Sequence, residues 1–270
     1  MTNQSVTNDP ARADALAALI RLSRTLGLPE EDLVILAEGN TSVRLPGERM
    51  LVKATGASLA NAGESDFVEV DLRAYDALLT RTGAPDGEVT EQLQAAVVAG
   101  SGRPSVESLL HAVCLTLPGV QFVAHTHPTA VNAILCSARP ELLLGSLFPD
   151  QIVVLGRRPL LVPYVDPGLK LAQHVAQRLL DDGGRAGRSP KVLYLVNHGM
   201  FALGATADEV LQVTRMAVKV ARIVAGAAAV GGPSYLSDID AERIDTRPDE
   251  EHRRRLLEHL SASSVAGAVR

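Results

Sequence analysis

Tryptophan is absent from this 270-residue chain, and aromatic residues make up only 3% of it. Any core must therefore be built from Leu, Val, Ile and Ala. Hydrophobic residues reach 46%, enough for a chain of this length to bury a substantial core within one domain. Cysteine is scarce as well: Cys114 and Cys136 are the only two, and neither belongs to a Cys-x-x-Cys pair. A disulfide framework is not expected, and both read as small core residues in a reducing compartment. Positive charge is not in excess, since the formal net charge is -5. That gives no general attraction to nucleic acid or to an anionic membrane. Long apolar runs are missing too; the stretch from Ile223 to Val230 is too short and too rich in Ala and Gly to span a bilayer. The opening, MTNQSVTNDPARAD, has no basic segment followed by an apolar one, so no signal peptide is read and a cytoplasmic location is expected.

Along the chain, helical and strand patterns alternate. Residues 1–8 read as a disordered tail. Asp9 and Pro10 start a helix whose Leu16, Leu19, Ile20 and Leu26 recur at helical spacing. Thr41 to Leu45 and Arg49 to Ala54 flank the turn Pro46-Gly47-Glu48 and read as a hairpin. Phe67 to Val70 is a short strand, followed by helices near 71–80 and 89–99 and by another from Val106 to about Leu117. Phe122 to His125 is strand-like and Thr129 to Ser137 helical. Ile152 to Leu155 and Leu160 to Val165 read as strands, and a helix runs from Pro167 to about Asp181. Residues 182–190 read as a loop, Lys191 to Asn197 as a buried strand with Met200 to Leu203 as its partner. A long Ala/Val-rich helix covers Asp208 to Ala228, and a charged helix roughly 249–260. The expected fold is a single-domain, three-layer α/β/α sandwich with a mixed central sheet. It spans residues 9–235 and is followed by a C-terminal helical tail over 236–270.

Three of the seven histidines stand at strand ends. His125-Thr126-His127-Pro128 closes one buried strand, and residues two apart on a strand point the same way, so both imidazoles can reach one ion. Asn197-His198-Gly199 closes another. A lone buried histidine is ordinarily a hydrogen-bonded core residue. A His-x-His pair joined by a third His is instead the ligand set of a catalytic zinc site that keeps a position open.

Glu107 falls in the first turn of a helix, just after Pro104-Ser105. It reads either as a favourable helix-end carboxylate or as a movable carboxylate beside the metal, serving as base in turnover. His111, four residues on, lies on the same helix face and could orient it, or be a plain core residue. Two turns, Glu38-Gly39-Asn40-Thr41-Ser42 and Lys53-Ala54-Thr55-Gly56-Ala57-Ser58, offer backbone N–H groups and small polar side chains. Such parts can cradle an anion without a buried cation, although turns of this composition are also common in ordinary loops.

In order and in type, Gly39-Asn40-Thr41-Ser42, Thr55-Gly56, Pro104-Ser105-Val106-Glu107, His125-Thr126-His127-Pro128 and Asn197-His198-Gly199-Met200 resemble the class II aldolase/adducin family over roughly residues 10–230. The resemblance implies an α/β/α sandwich, a homo-oligomer with the tetramer favoured, and one divalent cation per subunit. That cation would be Zn²⁺ before Mn²⁺ or Co²⁺, held by His125, His127 and His198. It also implies Glu107 as acid/base, and Gly39, Asn40, Thr55, Gly56 and Ser105 as substrate-binding residues that hold a phosphate. The stretch from Pro104 to His111 is similar to the branch that includes rhamnulose-phosphate-type aldolases. Val106 departs from the fuculose-phosphate aldolase pattern, in which a second serine stands there, and so removes one hydroxyl donor. Tyr235, in Pro233-Ser234-Tyr235-Leu236-Ser237, is the candidate for the tyrosine those enzymes take from a neighbouring subunit; otherwise it packs on the surface.

The implied activity is that of a metal-dependent aldolase, cleaving or forming a carbon–carbon bond in a phosphorylated ketose through an enediolate stabilised by the cation. The alternative is a decarboxylase of a 3-keto acid using the same stabilisation. Epimerases of this family typically carry Asp where Glu107 stands, a thio-sugar-phosphate dehydratase is a further possibility, and an adducin-like scaffold would lack the ligands retained here. An amidohydrolase barrel would place His-x-His on its first strand rather than at residue 125. The partners expected are a small-molecule substrate and other copies of the chain, with neither nucleic acid nor membrane.

Overall fold

The patterns above resolve into helices and strands in a computed structural model that describes residues 10–186 and 189–250. The elements begin with helix α1 (Pro10–Leu26), strands β1 (Asn40–Leu45), β2 (Arg49–Lys53) and β3 (Phe67–Asp71), helices α2 (Leu72–Leu79) and α3 (Asp86–Ala95), and strand β4 (Val97–Ala99). Helix α4 (Ser108–Leu115), strand β5 (Phe122–Thr126), helices α5 (Thr129–Leu135) and α6 (Pro149–Leu155), and strand β6 (Leu160–Val162) follow. Helix α7 (Leu169–Ala186), strands β7 (Val192–Leu195) and β8 (Gly199–Gly204), and helices α8 (Ala207–Ala228) and α9 (Asp238–Asp245) complete the order. The strands run β4-β3-β2-β1-β5-β8-β7-β6 in a mixed eight-stranded sheet flanked by helices. The chain divides into two compact units, one holding the described residues up to Val123 with those from Val165 to 186, the other Ala124–Tyr164 with residues from 189 onward.

In the first unit, Leu16, Leu19, Leu22 and Leu26 of α1 recur three or four residues apart and are buried, the stripe expected of an amphipathic helix. Leu16 and Leu19 pack with Val43, Leu45, Leu51, Ala62 and Phe67. Strands β1 and β2 pair antiparallel with Val43 opposite Leu51 and Leu45 opposite Arg49, so residues 46–48 form the connection. Gly47 and Glu48 both take positive φ there. Strand β3 pairs antiparallel with β2, and β4 with β3 across an irregularity at Glu69/Val70. Strand β4 is the part of the expected 89–99 helix that is not helical. Three residues carry too little periodicity to be told from the helix they follow.

Glu69 is fully buried yet charged. Its carboxylate accepts from Arg12 Nε at 2.6 Å and from an Arg49 guanidinium nitrogen at 2.7 Å. One carboxylate thus ties α1 and β2 to β3, and a buried charge of this kind must be paired to be tolerated.

In the second unit, β7 and β8 form a hairpin with Leu195 opposite Gly199, and β6 runs parallel to β7. The reading of Ile152 to Leu155 as a strand is corrected: these residues belong to α6. Four apolar residues do not fix a period, whereas Pro149 in the first turn and Gly156 at φ 70° just beyond the end are helix-start and helix-stop features. Helix α9 lies within the segment expected as a tail. Its Ala241 and Ile244 pack against Ile152 and Leu236, and Ser237 Oγ accepts from Asp240 N to cap it, so this stretch is built into the unit. The charged helix expected over 249–260 and the tail over 1–8 fall outside the described residues, apart from residues 249 and 250. The expected loop over 182–190 is corrected in part, because α7 continues through Ala186.

Helix α8 buries Ala217, Val218, Val220, Ala221 and Val224 within its own unit. Ile223 on the same helix and Val230 just past its end remain exposed. Cys114 is buried as expected, but Cys136 is exposed rather than a core residue. No helix among the described residues is long and apolar enough to cross a membrane.

Substituting Glu69→Gln should lower the unfolding free energy by about 3 kcal/mol. This is the low end for breaking a buried pair, because both arginines keep some solvent access. Urea unfolding monitored by circular dichroism checks it; a loss below about 1 kcal/mol would mean that the triad behaves like an exposed ion pair.

Candidate metal centre

Strand β5 carries His125, fully buried, at its next-to-last position, with His127 one residue past its end. The β7–β8 connection carries His198. Its turn closes through His198 N donating to Leu195 O at 3.1 Å, with Asn197 at φ 56°. Asn is among the few non-glycine residues that take this conformation readily. Asn132 on α5 donates from Nδ2 to His198 O at 3.0 Å, and Asn197 N donates to Leu135 O at 3.2 Å. The turn is thus tied to α5 from both sides.

These constraints bring the three rings together. Ligand atoms of His125, His127 and His198 all lie within 4.8 Å of one another, with the two Nε2 atoms of His125 and His127 3.0 Å apart. The ring of His125 stacks on Phe201, with centroids 4.3 Å apart, and its Nδ1 lies 3.0 Å from the Met200 carbonyl oxygen. A carbonyl only accepts, so Nδ1 carries the hydrogen and Nε2 of the neutral ring is left as a bare lone pair facing the other imidazoles. Four-coordinate zinc with bonds of about 2.0–2.1 Å would set its nitrogen ligands about 3.3 Å apart. The His125–His127 spacing is close to that, His198 lies within 4.8 Å of both, and a donor set of three imidazoles fits a divalent cation.

Gly199 makes the approach possible. A Cβ there would lie 2.5 Å from His127 Cδ2 and 2.6 Å from Thr126 O, so any side chain would displace the ring or the strand. The sequence pattern Asn197-His198-Gly199-Met200 contains the signal for all of this, but only as a string. The roles of Gly199, Asn132, Met200 O and Phe201 in orienting ligands are not readable from it.

The remaining candidates, apart from Tyr235, lie in the first unit. Asn40, 4% exposed, donates from Nδ2 to Glu107 Oε2 at 2.9 Å. Ser105 Oγ accepts from Glu107 N at 3.2 Å, the usual way a serine satisfies an open N–H at a helix start. Glu107 sits at the N-terminal boundary of α4. Ser108 hydroxyl donates to Ser105 O at 2.5 Å, so Tyr75 hydroxyl must be the donor in its 2.9 Å contact with Ser108 Oγ. Burial pushes the Tyr75 phenol well above its ordinary range. The Thr55–Gly56 turn joins the same region through Thr55 N donating to Arg103 O at 2.8 Å and an Ala54–Pro104 bridge. Gly39 and Gly56 both have positive φ, 68° and 82°, as the two turns require.

The turn also holds a buried lysine: Lys53, 2% exposed, donates from Nζ to Ala57 O at 2.5 Å and to Ala54 O at 3.3 Å. Burial lowers its pKa, while the charges of Asp66 and Glu107 act in the opposite direction. Tyr235, in the second unit, lays its ring directly on Gly145, where a Cβ would come within 2.1 Å of it. Its hydroxyl donates to Leu142 O at 2.6 Å. Burial raises the phenol's pKa, with Arg139 acting in the opposite direction.

An α/β fold with a mixed sheet and three clustered imidazoles defines a class of protein able to hold a divalent cation. The chain belongs to the class II aldolase family: it matches the family described as Class II Aldolase and Adducin N-terminal domain over residues 17–225. It is 24% identical over 180 residues to the 3-oxo-tetronate 4-phosphate decarboxylase of Haemophilus influenzae, covering 65% of this chain and 71% of that protein. It is also 29% identical over 185 residues to the uncharacterized oxidoreductase YuxG of Bacillus subtilis, covering 65% of this chain but only 24% of that protein. The chain thus spans about a quarter of YuxG's length. Among solved structures, it is similar to an L-fuculose 1-phosphate aldolase with a TM-score of 0.67 at 22% identity, covering 86% of this chain and 95% of that one. At that identity the likeness is one of fold.

Removing one imidazole, as in His127→Ala, should abolish stoichiometric metal uptake. Gly199→Ala, which leaves every ligand in place, should weaken binding by roughly 10- to 100-fold, the scale for disturbing groups that orient ligands. Metal titration followed by elemental analysis reads both; full occupancy in His127→Ala would rule out this ligand set.

Proposed function

We propose that the protein is a metal-dependent lyase that makes or breaks a carbon–carbon bond next to a carbonyl, and that it acts as an aldolase on a phosphorylated ketose. The observation that carries this reading is the convergence of His125, His127 and His198, each a neutral ligand, so that a bound cation keeps its full charge. Such a cation, Zn²⁺ in the first instance, supplies fixed positive charge for the negative charge that develops on the carbonyl side when the bond breaks. His125 presents Nε2 because Met200 O holds the hydrogen on Nδ1. Glu107 is the residue that moves the proton at the carbon beside the carbonyl. Its N–H is already satisfied by Ser105 and one carboxylate oxygen by Asn40, which orient the group.

Gly39, Asn40, Thr55, Gly56 and Ser105 are assigned to the substrate's anionic end, with the turn stapled by Lys53. Ser105 can still donate its O–H, since the bond to Glu107 N uses only a lone pair. Tyr235 would have to give up its bond to Leu142 O to act as a proton donor. The assembly proposed is a homo-oligomer, a tetramer by family likeness, and light scattering would report it.

A decarboxylase of a 3-keto sugar acid is the second reading. It is favoured by the similarity to the H. influenzae decarboxylase and by Val106, which offers no hydroxyl where the two-serine aldolases have one. Both reactions leave the same kind of electron pair beside the carbonyl, so the donor set serves either. Incubating the Zn²⁺-loaded protein with L-fuculose 1-phosphate and with 3-oxo-tetronate 4-phosphate, scoring aldehyde against CO₂, separates them. Aldehyde release alone supports the aldolase; CO₂ release alone replaces it with the decarboxylase.

On whichever compound is turned over, Glu107→Gln should lose on the order of 10²- to 10⁴-fold in rate while keeping its metal, the scale for a general acid/base. Near-normal turnover would reduce Glu107 to a helix-end charge. Ser105→Ala should raise KM by the equivalent of about 1–3 kcal/mol if the hydroxyl meets the anion. An unchanged KM for a phosphorylated compound would remove Ser105 from that role.

A further inference from the structure

His111 is fully buried on α4 and is not a passive core residue. Its Nδ1 lies 2.7 Å from Ser42 Oγ, and its Nε2 is in short contact with Asn40 Oδ1. Asn40 in turn donates from Nδ2 to Glu107 Oε2. The four side chains therefore form one unbroken line, Ser42–His111–Asn40–Glu107, within a single unit and between β1 and α4.

The donor and acceptor roles along that line are not independent. An ionised carboxylate only accepts, so the Asn40 amide must turn its NH₂ toward Glu107 and its oxygen toward His111. That oxygen also only accepts, so His111 Nε2 must carry the ring's hydrogen. Nδ1 of the neutral ring is then the acceptor, and Ser42 must be the donor. Reversing any member places two acceptors face to face in a buried setting, where an unmade hydrogen bond is costly. The two ends of a carboxamide have nearly the same shape, so packing alone cannot choose which end of Asn40 faces Glu107; the carboxylate chooses it, and the imidazole and the serine hydroxyl, each able to donate or accept, hold that choice in place.

We infer that His111, backed by Ser42, is a positioning residue that anchors the Asn40 amide with its NH₂ toward Glu107 and through it holds the Glu107 carboxylate for proton transfer. This rests on the assignment of Glu107 as the proton carrier made above. It also gives Asn40 a second duty: one of its N–H groups is committed to Glu107, leaving the other for a ligand.

Two measurements test the relay. In protein labelled with ¹⁵N-histidine, NMR should show His111 with a protonated Nε2 and a bare Nδ1, the resonances being assigned by their loss in His111→Gln. The hydrogen on Nδ1 with Nε2 bare would overturn the inference. Ser42→Ala, a change small enough to leave the fold intact, should shift the Nδ1 resonance while Nε2 stays protonated; an unmoved Nδ1 also overturns it. The second measurement is solvent-deuterium exchange into dihydroxyacetone phosphate by the Zn²⁺-loaded enzyme. His111→Leu should lower kcat by on the order of 10- to 100-fold, as expected for a misplaced catalytic group, with a smaller rise in KM because Asn40 also meets the substrate's anionic end.

His111→Gln, whose amide can still donate to Asn40, should recover most of that loss. Adding His111→Leu to Asn40→Ala should cost little more, because the first acts through the second. If Glu107→Gln loses exchange while His111→Leu keeps the wild-type rate, the relay is wrong and the acid/base assignment stands. Should Glu107→Gln exchange normally, or the wild type not exchange at all, the functional reading fails and the nitrogen spectra alone decide the relay.

Discussion

The hydrogen bond from His125 Nδ1 to the Met200 carbonyl is the constraint on which the candidate metal centre depends. It joins the end of β5 to the first residues of β8, selects one tautomer, and leaves the Nε2 lone pair facing His127 and His198. Stacking on Phe201 fixes the ring plane, and the absence of a side chain at Gly199 leaves room for His127 to close in. Every one of these is a restraint on direction rather than on proximity. Metal ligation needs direction: an imidazole at the right distance with its hydrogen on the wrong nitrogen is no ligand.

The Glu107 cluster is built by the same logic from different parts. Around the start of helix α4 the polar groups are chained together: Ser105 accepts from Glu107, Ser108 donates to Ser105, and Tyr75 donates to Ser108. The carboxylate is then approached by Asn40 from β1 rather than left to rotate in solvent. Lys53 closes the neighbouring turn by capping two carbonyls at the cost of burying an ammonium group. Its lowered pKa reflects that burial, with Asp66 and Glu107 pulling it back toward the charged form. The pairing of Glu69 with Arg12 and Arg49 plays a purely architectural part, tying α1 and β2 to β3.

Much of this was legible along the chain because short-range chemistry marks it. The stripe of Leu16, Leu19 and Leu26 announces α1, and Pro46-Gly47-Glu48 between two β-rich runs announces the β1–β2 hairpin. His125-Thr126-His127 at a strand end announces two imidazoles that meet. Where local signals were thin, the reading failed. Ile152 to Leu155 is apolar in four consecutive positions, which suits a buried strand or a buried helix equally, and Pro149 and Gly156 had to be weighed to decide. Val97 to Ala99 is too short to show any period.

What the sequence determined by itself was the inventory: three histidines at two strand ends, a glutamate opening a helix behind Ser105, and glycines where turns need positive φ. These follow from backbone periodicity and residue chemistry, which act over a few positions. Only the tertiary structure decided how the side chains are used. Met200 O lies 75 residues from His125, Asn40 lies 67 from Glu107 and 71 from His111, and no local rule connects them. The physical reason is that hydrogen-bond direction depends on which groups meet after the chain has folded. The tautomer of His125, the amide orientation of Asn40 and the buried charge of Lys53 all follow from contacts between distant segments.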